Sequence, residues 1–269
     1  MVPEENLFEI LREKPVADVR DAIRSGRYTG HTAGLARGKL QANLAILPAG
    51  FASDFAEFCR SNPKPCPLVG MTDPGDPAWT ALGDIDIRTD VPMFYLYEHG
   101  EHTATMPDLS DRWRDDLVAF ALGCSFTFEN ALSEAGIPMH HIEADRIVPM
   151  YRTSIETAKA GPFGGGTVVS MRYIAKDQVD LAVEISSAFP WAHGGPIHIG
   201  DPAKIGIRDI SRPDWGDAPC GPEGVPVFWA CGVTPQNALA RARPPLCITH
   251  MPGCMLITDI GERENAFIN

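Results

Sequence analysis

The chain has 269 residues, 44% of them hydrophobic and 22% charged, with a formal net charge of −12 at pH 7. That length can bury roughly 75% of the unfolded surface, enough for a core and a formed pocket. The acidic balance, with no cluster of Lys and Arg, excludes a nucleic-acid partner, and no apolar run approaches the ~18 residues of a membrane span.

From the amino end, MVPEENLFEILREKP carries Glu4 and Glu5 where a secretory signal needs positive charge and then an apolar stretch, so a soluble, cytoplasmic protein is expected. PVADVRDAIRSG spaces Val16, Val19, Ala22 and Ile23 along one helical face and ends at Gly26. GHTAGLARGKLQANLAILP lacks the glycine spacing of a nucleotide-binding loop and reads as a turn entering a strand, with Gln41 and Asn43 on one face. LQANLAILP, FASDFAEFCRSN and CPLVGM then give one strand-helix-strand unit. MFYLY and HTAT flank Glu98-His99-Gly100-Glu101 as a hairpin. DRWRDDLVAFALG and FENALSEAG read as helices, TVVSMRYI as a strand, and KDQVDLAVEISSAF as a helix with Val179, Ala182, Val183 and Ile185 on one side. The last third alternates the strands PIHIG, VPVFWA, LCITH and CMLITDI with the helix PQNALARA.

These elements predict an α/β protein with a mixed sheet, flanking helices and a smaller α+β subdomain. The expected division places residues 1–90 and 190–269 in a discontinuous main domain and residues 91–189 in the inserted subdomain.

The strongest chemical signal is VPVFWACGVTPQNALARA, a buried strand that breaks at Cys231-Gly232 before a helix with Thr234 as N-cap and Pro235 at its first position. Free N–H groups and the positive end of the helix dipole would hold a carboxylate there and lower the pKa of Cys231. The competing reading is a well-capped structural helix with a packed cysteine. A second such turn, LGCSFTFENAL, offers Cys124 as nucleophile, Glu129 as acid-base carboxylate and Ser125 at the helix start, against a packed thiol and a plain cap.

Arg88, Arg152 and Arg172 stand beside apolar or strand-like sequence and are candidates to clamp an acidic substrate, unless Asp84, Asp86 or Asp90 occupy them. His193, His198 and His250 fall in HGGPIHIGDP and THMPG, near Asp201 and Asp259, and Asp201-Pro202 reads as a helix start. His250 is the preferred proton carrier of the three, with a satisfied core histidine as the alternative. The seven cysteines (Cys59, Cys66, Cys124, Cys220, Cys231, Cys247, Cys254) are odd in number and lack paired spacing. They read as reduced thiols, with no metal site and no cofactor expected.

Together the segments GHTAGLARGKLQANLAILP, FCRSNPKPCPL, DIDIRTDVP, GCSFTFENAL, VPMYRT, VVSMR, HGGPIHIGDPAKIGI, VPVFWACGVTPQ and THMPGCMLITD resemble a bacterial hydro-lyase family related to the D-glutamate cyclase domain. The resemblance runs from about Gly30 to Asp259 and implies an α/β fold of two subdomains. It also implies conversion of D-glutamate to 5-oxo-D-proline with loss of water. The chain departs from the family pattern at Ser154, Ile155, Glu156 and Thr157, where Asn-Ile-Pro-Cys is usual, and at Cys254, where a histidine is usual.

Cyclisation would need Arg88, Arg152 and Arg172 on the carboxylate, the turn from Gly232 to Thr234 on the oxyanion, and His250 with Glu129 for proton transfer. Cys231 offers a thioester route instead. The rival expectations are a dehydratase or lactam hydrolase on a related acid, and a non-catalytic carboxylate-binding protein. The expected partners are a small carboxylate or amino acid and a further copy of the chain as a homo-oligomer, with no nucleic acid and no membrane.

Overall fold

The computed structural model describes residues 4–144 and 146–262, with side chains from residue 7 onward, so those of Glu4 and Glu5 lie outside the described residues. The chain opens with α1 (Glu4–Arg12) and α2 (Val16–Arg24). After Ser25, Gly26 takes φ +67° and the N–H groups of Gly26 and Arg27 close on the carbonyls of Ile23 and Ala22, as a glycine C-terminal cap requires.

β1 (Lys39–Pro48), α3 (Ala49–Ser61) and β2 (Leu68–Met71) follow in the expected order. The hairpin of β3 (Phe94–Glu98) and β4 (Glu101–Met106) turns on His99 and Gly100, at φ +50° and +83°. Two left-handed residues match the twist of a two-residue hairpin. Then come β5 (Leu117–Gly123), α4 (Phe126–Glu134) and the short α5 (His140–Glu143). β6 (Met150–Glu156), β7 (Gly166–Ile174), α6 (Val179–Ser187), β8 (His198–Ile199) and β9 (Val225–Ala230) lead to α7 (Val233–Ala242), β10 (Cys247–His250) and β11 (Leu256–Gly261).

The described chain falls into two compact units, one within residues 1–56, 68–123 and 239–269, the other within 57–67 and 124–238. The first is built on a seven-stranded sheet of order β2-β5-β1-β10-β3-β4, in which β11 also pairs with β1. β1 and β2 are each antiparallel to β5, so they run the same way with β5 between them. The strand-helix-strand unit is therefore split by a later strand. Leu40, Leu44, Ile46, Phe94, Leu117 and Ala119 belong to its main core cluster. Gln41 and Asn43 are buried and donate to the backbone carbonyls of Thr32, Leu35 and Gly123, which makes them part of the scaffold.

The expected helix over DRWRDDLVAFALG is instead the strand β5, buried at all seven positions. A short continuous apolar run has no period to separate a buried strand from a buried helix, and pairing on both edges decides it. The domain boundaries differ from expectation for the same reason. The hairpin 94–106 stays with the first unit because β3 pairs with β10, and β9 belongs to the second because it pairs with β7.

The second unit carries an antiparallel sheet of order β6-β7-β9-β8. Directly paired residues share a face, so Ser170 lies with Trp229 and Arg172 with Val227. That face meets Phe128 and Leu132 of α4, Ala182 of α6 and Phe189; the other carries Val169, Met171 and Phe228 with Tyr151. Among the described residues no helix is long and apolar enough to cross a membrane.

α7 begins at Val233, one residue before the expected cap. Thr234 is buried inside its first turn, and its hydroxyl accepts from Val168 N–H at 2.9 Å and lies 3.2 Å from the Val168 carbonyl. The residue thus ties the helix to β7 instead of capping it. Thr234→Val should cost about 1–3 kcal/mol, because it strands a buried backbone N–H, and thermal unfolding should show a clear loss of stability at unchanged secondary structure.

Candidate active site

Alternation along β7 puts Arg172 on the face covered by α4, inside an apolar cluster, where a lone cation would be very costly. Its neighbours resolve this. Nη2 donates to the Glu129 carboxylate and Nη1 donates to Ser170 Oγ at 2.9 Å. The guanidinium lies 5.2 Å from the Phe128 ring centre and 5.3 Å from that of Trp229. Glu129 is 1% exposed and Arg172 4%. His141 Nε2 adds a third contact, 3.5 Å from Glu129 Oε1. Burial by itself pushes the Glu129 carboxyl up, but the charge of Arg172 and the His141 hydrogen bond prevail and hold it at about 2. An open cleft in this unit reaches Arg172 and His141 and is also lined by Tyr173 and Cys220.

Two thiols stand at two helix starts. Cys124 precedes α4 and Cys231 precedes α7, and each is partly exposed. The backbone N–H groups of Phe126 and Val233 favour the anionic form of these two sulfurs. The side chain of Ser125 makes no capping bond. The Cys231 N–H donates to the Val168 carbonyl at 3.0 Å, and its thiol lies 3.5 Å from Met150 Sδ.

The expected lowering of the Cys231 pKa is reversed. Burial pushes Cys231 up to about 11 and Cys124 up to about 12, and the backbone donors only soften the shift. Desolvation of an anion outweighs a helix end here, so both sulfurs rest as neutral S–H groups.

The three candidate clamp arginines are each engaged. Arg88, in the first unit, holds Asp86 in a two-pronged contact at 2.7 and 2.9 Å. Arg152 is 63% exposed, lies 4.8 Å from the Trp215 ring centre and 4.0 Å from Asp214. Arg172 alone among the three joins the Glu129 cluster. His250 lies in the first unit, buried, with the Leu44 N–H donating to its Nδ1 at 3.1 Å, and burial lowers its pKa to about 4. Its ring braces the pairing of β1 and β10. His198 Nε2 lies 2.8 Å from the Asp201 carbonyl, and Asp201 caps a short 3-10 turn at Pro202–Ile205.

His193, passed over for His250, is 1% exposed and sits in the second unit at φ +75°. The only sequence signal for it is the Gly194-Gly195 pair that makes so tight a turn feasible. Of the departures from the family pattern, Thr157 donates to the Gly165 carbonyl at 2.8 Å, and Cys254, in the first unit, lies 3.5 Å from the Gly30 carbonyl. Among the described residues no group of three or more His, Cys, Asp or Glu is placed to hold a metal ion.

A family model described as D-glutamate cyclase matches residues 118–259. The chain is 59% identical over 261 residues to a protein of Dinoroseobacter shibae, covering 96% of this chain and 87% of that one. It is 58% identical to one of Ruegeria pomeroyi, covering 95% and 94%, and 54% identical to one of Cupriavidus taiwanensis, covering 97% and 98%. All three carry the provisional name hydro-lyase.

Glu129→Gln should cost about 3–5 kcal/mol, because it leaves the Arg172 charge buried without a counter-ion. The pair Glu129→Leu with Arg172→Met should recover most of that loss in denaturant unfolding. Acid sensitivity follows from the shifts. His193 and His250 have folded pKa values lowered from 6.5 to about 4, so their contribution is complete above pH 6.5 and is lost as pH falls towards 4. Glu129, lowered from 4.5 to about 2, contributes fully above pH 4.5 and loses its share between those values. Unfolding free energy measured against pH should therefore decline in two stages, and Glu129→Gln should flatten the lower one.

Proposed function

We propose a function from the family to which the chain belongs, the D-glutamate cyclase family, whose members here are named hydro-lyases. The reaction is loss of water from a small carboxylate substrate, specifically the cyclisation of D-glutamate to 5-oxo-D-proline. One observation supports this site: the matched segment, residues 118–259, contains Arg172 with its partners Glu129 and Ser170 and the neighbouring His141, and Cys124 and Cys231 belong to the same unit.

Cyclisation joins the amine nitrogen to the side-chain carboxyl carbon and expels one oxygen as water. Two protons leave the ammonium and two reach the departing oxygen. A protonated thiol suits the donor role, and Cys231 is held protonated by its burial. The thioester route fits less well, since a thiol titrating at about 11 is ionised only on the order of one part in ten thousand at pH 7. Arg172, whose Nε–H has no partner among the described residues, offers a donor to a carboxylate, and Glu129 with Ser170 fixes its plane. The turn at Gly232 brings backbone N–H groups to the start of α7, where negative charge develops on the attacked carboxyl. Cys124 contributes a second neutral S–H at the start of α4.

The test is incubation of the purified chain with D-glutamate, L-glutamate and both 5-oxoprolines, with and without EDTA. The expected result is 5-oxo-D-proline from D-glutamate alone, unaffected by EDTA, with Cys231→Ala losing most of kcat and Cys231→Ser retaining part of it. Turnover of a hydroxy acid or of a lactam in its place would reassign the substrate. Thermal stabilisation by D-glutamate without any product would make the chain a binding protein.

A further inference from the structure

His193 is the buried titratable group that the reading above leaves without a task. It follows a 3-10 turn, Pro190–Ala192, closed by Ala192 N–H and Gly194 N–H on the Phe189 carbonyl at 2.9 Å each. Its φ of +75° lies in the left-handed region, which a residue with a Cβ adopts only under constraint. The constraint comes from both sides. A Cβ on Gly195 would stand 2.4 Å from Ser187 Oγ, so the turn is pressed against the end of α6. On the other side, Lys64 Nζ donates to the Gly195 carbonyl at 2.9 Å and Asn62 exchanges hydrogen bonds with both backbone groups of Ala158.

The imidazole has one fixed partner. His193 Nδ1 lies 2.7 Å from the Lys64 carbonyl, and a carbonyl can only accept, so Nδ1 carries the hydrogen and Nε2 the lone pair. Among the described residues no hydrogen bond reaches Nε2. Ala192, the preceding residue, packs in the cluster with Phe128 and Trp229, the two rings that flank Arg172. The charges of both Arg172 and Glu129 are felt at the ring. A strained backbone, a fixed tautomer and an unused lone pair next to buried charge are the marks of a positioned base.

We infer that His193 is a catalytic residue, the group whose Nε2 takes the proton from the substrate ammonium. This rests on the cyclisation read above and adds the base it lacks. The ammonium gives one proton to Nε2, and the freed amine attacks the side-chain carboxyl carbon, forming the C–N bond. His193 returns its proton to the oxygen that departs, while the second nitrogen proton reaches that oxygen through the Cys231 thiol, so the C–O bond breaks with release of water and both groups end neutral. The substrate carboxylates entering beside the ring favour the imidazolium and make it a stronger acceptor when it is needed.

The experiment compares the full chain with His193→Gly and His193→Asn. Glycine suits the left-handed position, and asparagine tolerates it while keeping a side-chain donor for Lys64, so at least one of the two should keep the wild-type fold. Both should lose at least a hundredfold in kcat at little change in KM, and added imidazole should restore part of the rate to His193→Gly. In parallel, 15N spectra of the histidine-labelled wild type should show His193 as the Nδ1–H form, with its Nε2 resonance moving on addition of D-glutamate. If the wild type forms no 5-oxo-D-proline yet that resonance still moves, the cyclisation reading falls and His193 keeps its place against the amine. A resonance that ignores D-glutamate, or a folded variant within threefold of the wild-type rate, overturns the assignment.

Discussion

A charged guanidinium inside an apolar cluster is the constraint from which the second unit is organised. Arg172 is only 4% exposed, packed with Phe128, Trp229 and Val227, so its charge must be met inside the protein. Glu129 meets it, and that requirement fixes which face of α4 turns to the sheet and brings His141 and Ser170 into the same network. A buried pair of this kind seldom adds net stability over an apolar replacement, because desolvation consumes most of the attraction. Its presence inside an apolar cluster points to a task other than stability.

The two thiols show the same balance with the opposite outcome. Each stands at a helix start, where backbone donors favour an anion, yet each is held protonated. Burial removes the water that would stabilise a thiolate, and one or two N–H groups do not replace it. Glu129 keeps its charge under deeper burial because a whole cation lies against it. Within one unit, then, the charged and the neutral acids are sorted by whether a full counter-charge is in contact.

The two-residue hairpin at His99-Gly100 and the glycine stop at Gly26 were legible because each depends on backbone preferences of a few adjacent residues. β5 was not legible as a strand, since LVAFALG satisfies a buried helix and a buried strand alike until β1 and β2 pair with it. The cap at Thr234 failed for a related reason. A threonine before proline at a helix start is a local signal, but a buried backbone N–H on Val168 claimed its hydroxyl.

The class of fold, the family and the positions of the turns before α4 and α7 can be read from the chain alone, because composition, periodicity and motif content survive in one dimension. Folding alone sets which of three arginines is buried against a carboxylate, in which direction the thiols titrate, and that His193 and not His250 sits in the unit with Glu129 and Arg172. Those outcomes depend on desolvation and on contacts between residues far apart in the chain. Glu129 and Arg172 are 43 positions apart, and nothing in the segments around them encodes the distance that folding removes.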